Sequence, residues 1–261
     1  MAMILAMVFG PFIGLNLGNI NEYNFAFVLC MVISAVNIVF ALLMKEPQHT
    51  LVNKAHFKNQ SLSFNDIIDK KAAPFALATF LLAFAYSGVS AFLSLYAKKL
   101  GLIGDASYFF IAYAVFILIF RPFAGRWSDI YGPKIIVYPS IVLFAMGLIM
   151  LQQTHTGGTL VLAGAIIGIG YGSVTPIFQT QTISSVESPR VGIANAMFFS
   201  SMDAGMAVGA YVLGTVASIA GYRSVYLVGT ILIVVAGIYY FVTTMKRAVR
   251  LQTLTDRENQ A

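Results

Sequence analysis

Charge is scarce in this chain. Of 261 residues only 10% are Asp, Glu, Lys or Arg, 59% are hydrophobic, and the mean hydropathy is +0.82. Soluble domains carry about 25% charged residues, so this composition excludes an ordinary water-soluble fold. Cysteine occurs once, at Cys30, which leaves one chain without an internal disulfide or a cysteine-built metal site. His49, His56 and His155 are the three histidines and fall in polar intervals, with no nucleophile patterned beside them. No H-E-x-x-H or Walker-type phosphate loop occurs, so neither a zinc hydrolase nor a nucleotide hydrolase is indicated. These absences predict no enzyme, no metal and no cofactor. Period-2 alternation is also missing from the apolar runs, which argues against a β-barrel.

Long apolar runs are what the chain has in quantity. A helix of about 20 residues crosses a hydrocarbon core of roughly 30 Å. Runs of that order lie near 1–18, 24–44, 73–96, 107–124, 135–152, 159–182, 192–219 and 224–245. They predict an all-α polytopic membrane bundle of about eight transmembrane helices. With Met1 inside and every run spanning, thirteen basic residues fall on the inner side and only Lys98, Lys99 and Arg223 on the outer. This asymmetry follows the positive-inside rule and places both termini in the cytoplasm. The net charge of +6 thus reflects topology rather than affinity for nucleic acid. Met1 leads directly into an apolar run without a basic n-region, which reads as a span rather than a cleavable leader.

The longest polar interval, Lys45 to about Ala72, divides two spans from six. The expected organisation is therefore two helices over 1–46, a cytoplasmic linker over 47–72, six helices over 73–246 and a tail over 247–261. Asp66-Ile67-Ile68-Asp69-Lys70-Lys71 fits either a short interfacial helix or a solvated linker.

Few residues carry chemistry. Gly125-Arg126-Trp127-Ser128-Asp129-Ile130-Tyr131-Gly132-Pro133-Lys134 joins two apolar runs. Gly125 reads as a point of close helix approach and Gly132 as a turn that other residues resist. Asp129 lies where a helix N-terminus attracts an acid, with Arg126 and Lys134 as basic neighbours. Arg121, before Pro122, reads as a snorkelling side chain, with gating as the alternative. Asp203 is the acid that the pattern places deepest in the membrane. A buried carboxylate is costly when charged, which suits proton exchange; the competing reading is packing, with a hydrogen bond to Ser200, Ser201 or Asn195. Tyr86, Ser90, Tyr113, Gln179, Asn195 and Phe199 are candidates for lining a cavity that takes an amphipathic organic solute. Glycines over 164–181 predict a closely packed, flexible helix.

The 125–134 run resembles the signature loop of the major facilitator superfamily (MFS), G-x-x-x-D-x-x-G-x-[KR], although Ile130 and Pro133 stand where basic residues are usual. Gly10-Pro11-Phe12-Ile13-Gly14 resembles the glycine–proline motif of that family's drug–proton antiporters, with Leu15 in place of a further glycine. A repeat at an offset of 199 residues pairs Gly10 with Gly209, Ile13 with Val212, Tyr23 with Tyr222 and Phe27 with Tyr226. Two related six-helix halves are a property of this family. The resemblance therefore implies the last two helices of an N-terminal half, a complete C-terminal half, and four absent helices.

It also implies a secondary active transporter of the plasma membrane, working by alternating access and exporting small organic molecules in exchange for protons. The implied partners are the lipid bilayer, a small organic solute, protons or another coupling ion, and a missing N-terminal half. Gly125, Arg126, Asp129, Gly132 and Lys134 would form a cytoplasmic gate, and Asp203 would carry the proton. Two alternatives keep the same fold: an incomplete fragment, or a membrane binding or sensor protein that does not transport.

Overall fold

The computed structural model describes residues 20–43 and 68–258, and among them every regular element is helical. The helices are α1 (Ile20–Leu43), α2 (Ala73–Lys99), α3 (Ile103–Tyr131), α4 (Lys134–Gln152), α5 (Gly157–Ser184), α6 (Val191–Ala220) and α7 (Tyr222–Glu258), with a 3₁₀ turn at Ser188–Arg190. Six of them, α2 to α7, include stretches long and apolar enough to span a membrane, whereas α1 carries the shorter apolar segment Phe27–Leu43. The all-α membrane bundle expected from composition is the observed architecture. The first expected span, with Gly10, Pro11 and Gly14, lies outside the described residues, as does most of the linker.

Sequence dictates where the helices stop. Gly101, Gly132 and Gly221 have φ of +75°, +87° and +81°, a region that costs an L side chain free energy. Each reverses the chain within one to three residues, so consecutive helices run antiparallel. At α5 the start is set differently. Thr156 and Thr159 form a reciprocal capping box, which satisfies amides that would otherwise lack partners.

Packing then follows from small residues. Between lipid-immersed helices there is little hydrophobic drive, so close van der Waals contact and internal hydrogen bonds hold the bundle. Helix α5 packs on α3 along one side and on α4 along another, α2 packs on α6, and α7 closes against both α2 and α4. A methyl group added at Gly164 would lie 2.7 Å from the Phe109 carbonyl oxygen of α3, and one at Gly170 would lie 2.6 Å from the Phe144 amide nitrogen of α4. The close packing expected over 164–181 is thus backbone against backbone, on two sides. Side-chain hydrogen bonds tie further pairs: the Tyr96 hydroxyl donates to the Leu151 carbonyl at 2.9 Å, and Gln181 Nε2 donates to the Tyr240 hydroxyl at 2.9 Å. On α1, by contrast, the described side chains are exposed throughout.

The end of the bundle that carries Gly132 has its own polar clasp. Asp69 is buried, its Oδ1 accepts the Lys71 amide at 2.8 Å, and its Oδ2 lies 3.2 Å from Arg190 Nη1. Lys71 Nζ lies 3.4 Å from Glu187 Oε1 on the surface. Residues 68–72 form a turn held to the joint between α5 and α6, and Asp66 and Ile67 of the segment that fitted a short interfacial helix lie outside the described residues.

Candidate functional site

Three helices contribute parallel stripes to one cavity. On α3, Tyr113, Ile117 and Arg121 recur every four residues and so share a face. Tyr171, Thr175 and Gln179 do the same on α5, accompanied by Gly172 and Pro176, and α6 adds Phe198, Phe199, Met202 and Met206. The space they line measures about 120 Å³. Its walls are mostly aromatic and thioether, with a few polar groups, which is the usual chemistry of a small-molecule site. Pro176 has no amide hydrogen, so the Gly172 carbonyl in the same wall loses its helical donor.

An aromatic stack stiffens one side. Tyr86 of α2 lies flat on Tyr171, with centroids 4.0 Å apart and 7° between planes, and faces Tyr113 at 5.9 Å. Phe144 meets Tyr171 edge-on at 5.5 Å. Such contacts are worth about 0.5–1.5 kcal/mol each beyond burial, and they hold two of the lining tyrosines in fixed orientation.

The cavity gathers several residues that the sequence singled out. Tyr113 is buried in the wall and Phe199 is exposed at the rim. Gln179 lines the space, and its Nε2 donates to Asn195 Oδ1 at 3.1 Å, which bridges α5 to α6. Tyr86 backs the wall rather than lining it. Ser90 lies elsewhere, exposed on α2, with its hydroxyl donated to the Ser87 carbonyl at 3.3 Å. Asp203 is exposed on α6, one helical turn from Phe199 but outside the lining. Among the described residues it has no hydrogen bond to Ser200, Ser201 or Asn195.

Arg121 departs from the snorkelling position that its place near a helix end suggests. It is half-buried and lines the cavity, where a snorkelling arginine would be directed towards headgroups. The available signal was spacing, since Arg121 stands eight residues after Tyr113 on one helical face.

The 125–134 run also differs in detail. Helix α3 continues through Tyr131, so the turn is confined to Gly132 and Pro133. Gly132 has φ +87° and ψ 157°, a conformation that is nearly restricted to glycine. A methyl group at Gly125 would meet nothing within 4 Å, so this glycine does not mark a close approach inside the bundle. Arg126, Asp129 and Lys134 are exposed, and none has an ion-pair partner among the described residues. Among those residues no grouping of His, Cys, Asp and Glu is arranged to hold a metal ion.

Comparison with known proteins gives a consistent set of similarities. The family model described as Major Facilitator Superfamily matches residues 75–259. An uncharacterized MFS-type transporter of Methanocaldococcus jannaschii is 24% identical over 91% of this chain and 62% of its own length. The quinolone resistance protein NorA of Staphylococcus aureus is 28% identical over 46% of this chain and 32% of its own length. An uncharacterized transporter of Schizosaccharomyces pombe is 40% identical over 28% of this chain and 13% of its own length. The chain thus spans less than two thirds of each of these relatives.

Proposed function

We propose, on the premise that the chain belongs to the major facilitator superfamily, that it acts as a secondary active transporter exporting small organic molecules in exchange for protons. The observation that carries this reading is the cavity between α3, α5 and α6, where Tyr113, Gln179 and Phe199 converge in an aromatic, sparsely polar wall. Similarity to a protein named for quinolone resistance supports efflux as the direction.

On this reading the chain supplies one wall of an alternating-access path through the plasma membrane. The Gly132 end faces the cytoplasm, as the distribution of Lys and Arg favours. Tyr171, Phe199 and Met202 take the apolar body of the solute, while the Gln179–Asn195 pair offers hydrogen-bonding groups and ties α5 to α6. Asp203, exposed beside that wall, takes up a proton when its surroundings close and releases it when they open to water. Asp129, exposed next to the Gly132 turn, pairs across the cytoplasmic gate with a basic group or a helix N-terminus of an opposing half.

One observation keeps a second reading: the relatives extend well beyond the region this chain matches. In that version the chain transports only beside a separate N-terminal bundle, or binds solute without carrying it.

Proteoliposomes under an imposed pH gradient test these readings, with ethidium and salicylate as probes. The chain is assayed alone and with a separately expressed four-helix N-terminal piece. Flux that stops when the gradient is dissipated supports proton exchange, and flux indifferent to the gradient refutes it. Silence of both probes in both arrangements refutes transport. Asp203→Asn should insert normally yet lose the pH dependence of flux; an unchanged pH profile would reduce Asp203 to a surface residue of the bundle.

A further inference from the structure

The cavity carries a charge that the transport reading has not used. Arg121 lines it, and neither ion pair among the described residues involves Arg121. No aspartate or glutamate is among the lining residues. Tyr113, Ile117, Tyr171, Phe198, Met202 and Met206 instead surround the site with rings and apolar chains. Arg121 is half-buried in these surroundings, so its guanidinium has lost part of its hydration, and no carboxylate lines the same space. The guanidinium does keep its donors, arranged in a planar fork that matches a carboxylate in two parallel hydrogen bonds.

A second polar group lies on the same helix. The Tyr113 hydroxyl is buried. Buried hydroxyls are normally satisfied, and the neighbour with which this one interacts is the Tyr86 hydroxyl. The cavity therefore combines a cationic fork with an aromatic bed within about 120 Å³.

We propose that this site selects organic anions, with Arg121 holding the carboxylate of a small aromatic or amphipathic acid whose ring lies against Tyr171 and Phe199. The inference rests on the transport reading for its physiological meaning but not for its test, because binding alone decides it. It also separates this cavity from one built for cationic drugs. A cation would have to enter beside the Arg121 guanidinium, and like charges in a low-dielectric site repel.

The test uses the full chain in lipid nanodiscs, with equilibrium binding of radiolabelled salicylate and of tetraphenylphosphonium, a lipophilic cation. Salicylate should bind saturably to the wild type. Arg121→Gln should weaken it at least tenfold and Arg121→Lys by only a few fold, while Arg223→Gln, at the opposite end of the bundle, should leave it unchanged. Tetraphenylphosphonium should bind no more weakly to Arg121→Gln than to the wild type.

Absence of saturable salicylate binding would overturn the proposal. So would equal affinity in the wild type and Arg121→Gln, or a preference of the wild type for the cation. Should Arg121→Gln not fold, competition on the wild type decides: benzoate should displace salicylate and neutral benzamide should not, and equal displacement by both refutes the role of charge. Salicylate bound through Arg121 but never carried across proteoliposomes would sink the transport reading alone. Salicylate carried equally well by wild type and Arg121→Gln would sink this inference alone.

Discussion

Gly170 offers a direct test of how the bundle is held together. A methyl group at this position would lie 2.6 Å from the Phe144 amide nitrogen, 2.7 Å from the Ser140 carbonyl oxygen and 2.9 Å from the Phe144 Cα. All three are backbone atoms of α4, so no side chain can swing aside. Non-bonded carbon contacts are best near 3.5–4.0 Å, so α4 and α5 would have to part by roughly 0.8 Å, and a gap of that size forfeits about a quarter to a half of each neighbouring contact. Overpacking of this kind costs about 1–3 kcal/mol. At roughly 2–4 °C per kcal/mol for a chain of this size, Gly170→Ala should melt about 2–12 °C below the wild type. The control is the same substitution at Gly125, which is helical and has nothing within 4 Å of the added carbon. There the better helix propensity of alanine should leave stability unchanged or raise it by up to about 1 kcal/mol. Heating detergent-solubilised protein and measuring the fraction that stays monodisperse on size exclusion gives both numbers. Equal melting of Gly170→Ala and wild type, or a fall at Gly125→Ala as large as at Gly170→Ala, would refute backbone contact as the basis of the packing.

Two further substitutions probe the Gly132 end with the same heating assay. Gly132→Ala forces a side chain into φ +87°, ψ 157° and should cost about 1–3 kcal/mol; a wild-type melting point would mean that the α3–α4 turn has another conformation available. Asp69→Asn and Arg190→Gln should each cost about 1 kcal/mol, since the Arg190 side chain is 40% exposed and partly screened. The double variant should lose no more than the worse single one, whereas additive losses would show that the two residues act independently.

Much of this architecture is legible in the chain before folding. Apolar runs of membrane length identify the helices, and the glycines over 164–181 announce close packing because little else lets two helix backbones touch. Helix ends are less legible. The 107–124 run belongs to a helix reaching Tyr131, and the 224–245 run to one reaching Glu258. Hydropathy reports where the hydrocarbon ends, whereas a helix goes on into water as long as its backbone hydrogen bonds are made. Gly132 could be read as a turn from its type and setting. Gly125 could not be told from a packing glycine, because only the neighbouring helix shows that its open side is empty. The cavity was legible in part. Tyr113, Gln179 and Phe199 stand out as polar or aromatic groups in apolar runs, but Ser90 stands out equally and faces away. For Arg121, sequence position near a helix end suggests headgroups, while angular position, on the face of Tyr113, places it at the cavity. Angular position depends on which helix lies opposite, and that is a property of the packed bundle.

The paired contacts have an order of their own. Gly164 and Gly168 of α5 rest on the Phe109 and Tyr113 carbonyls of α3, and Gly205 and Gly209 of α6 rest on the Phe80 and Phe84 carbonyls of α2. Exchange of the first three helices of the bundle for the last three, α2 for α5, α3 for α6 and α4 for α7, turns one pair of helices into the other but swaps the roles, so that the helix giving glycines in one pair corresponds to the helix giving carbonyls in the other. Inverted three-helix repeats of this kind are a known way to build such a half. The helix pairing is thus that of a pseudo-twofold pair of triplets with two seams, and the cavity opens where α3, α5 and α6 meet beside one of them. At both seams the last triplet gives the glycines and the first gives the carbonyls, so neither triplet can be shifted against its partner without disturbing a backbone contact at both.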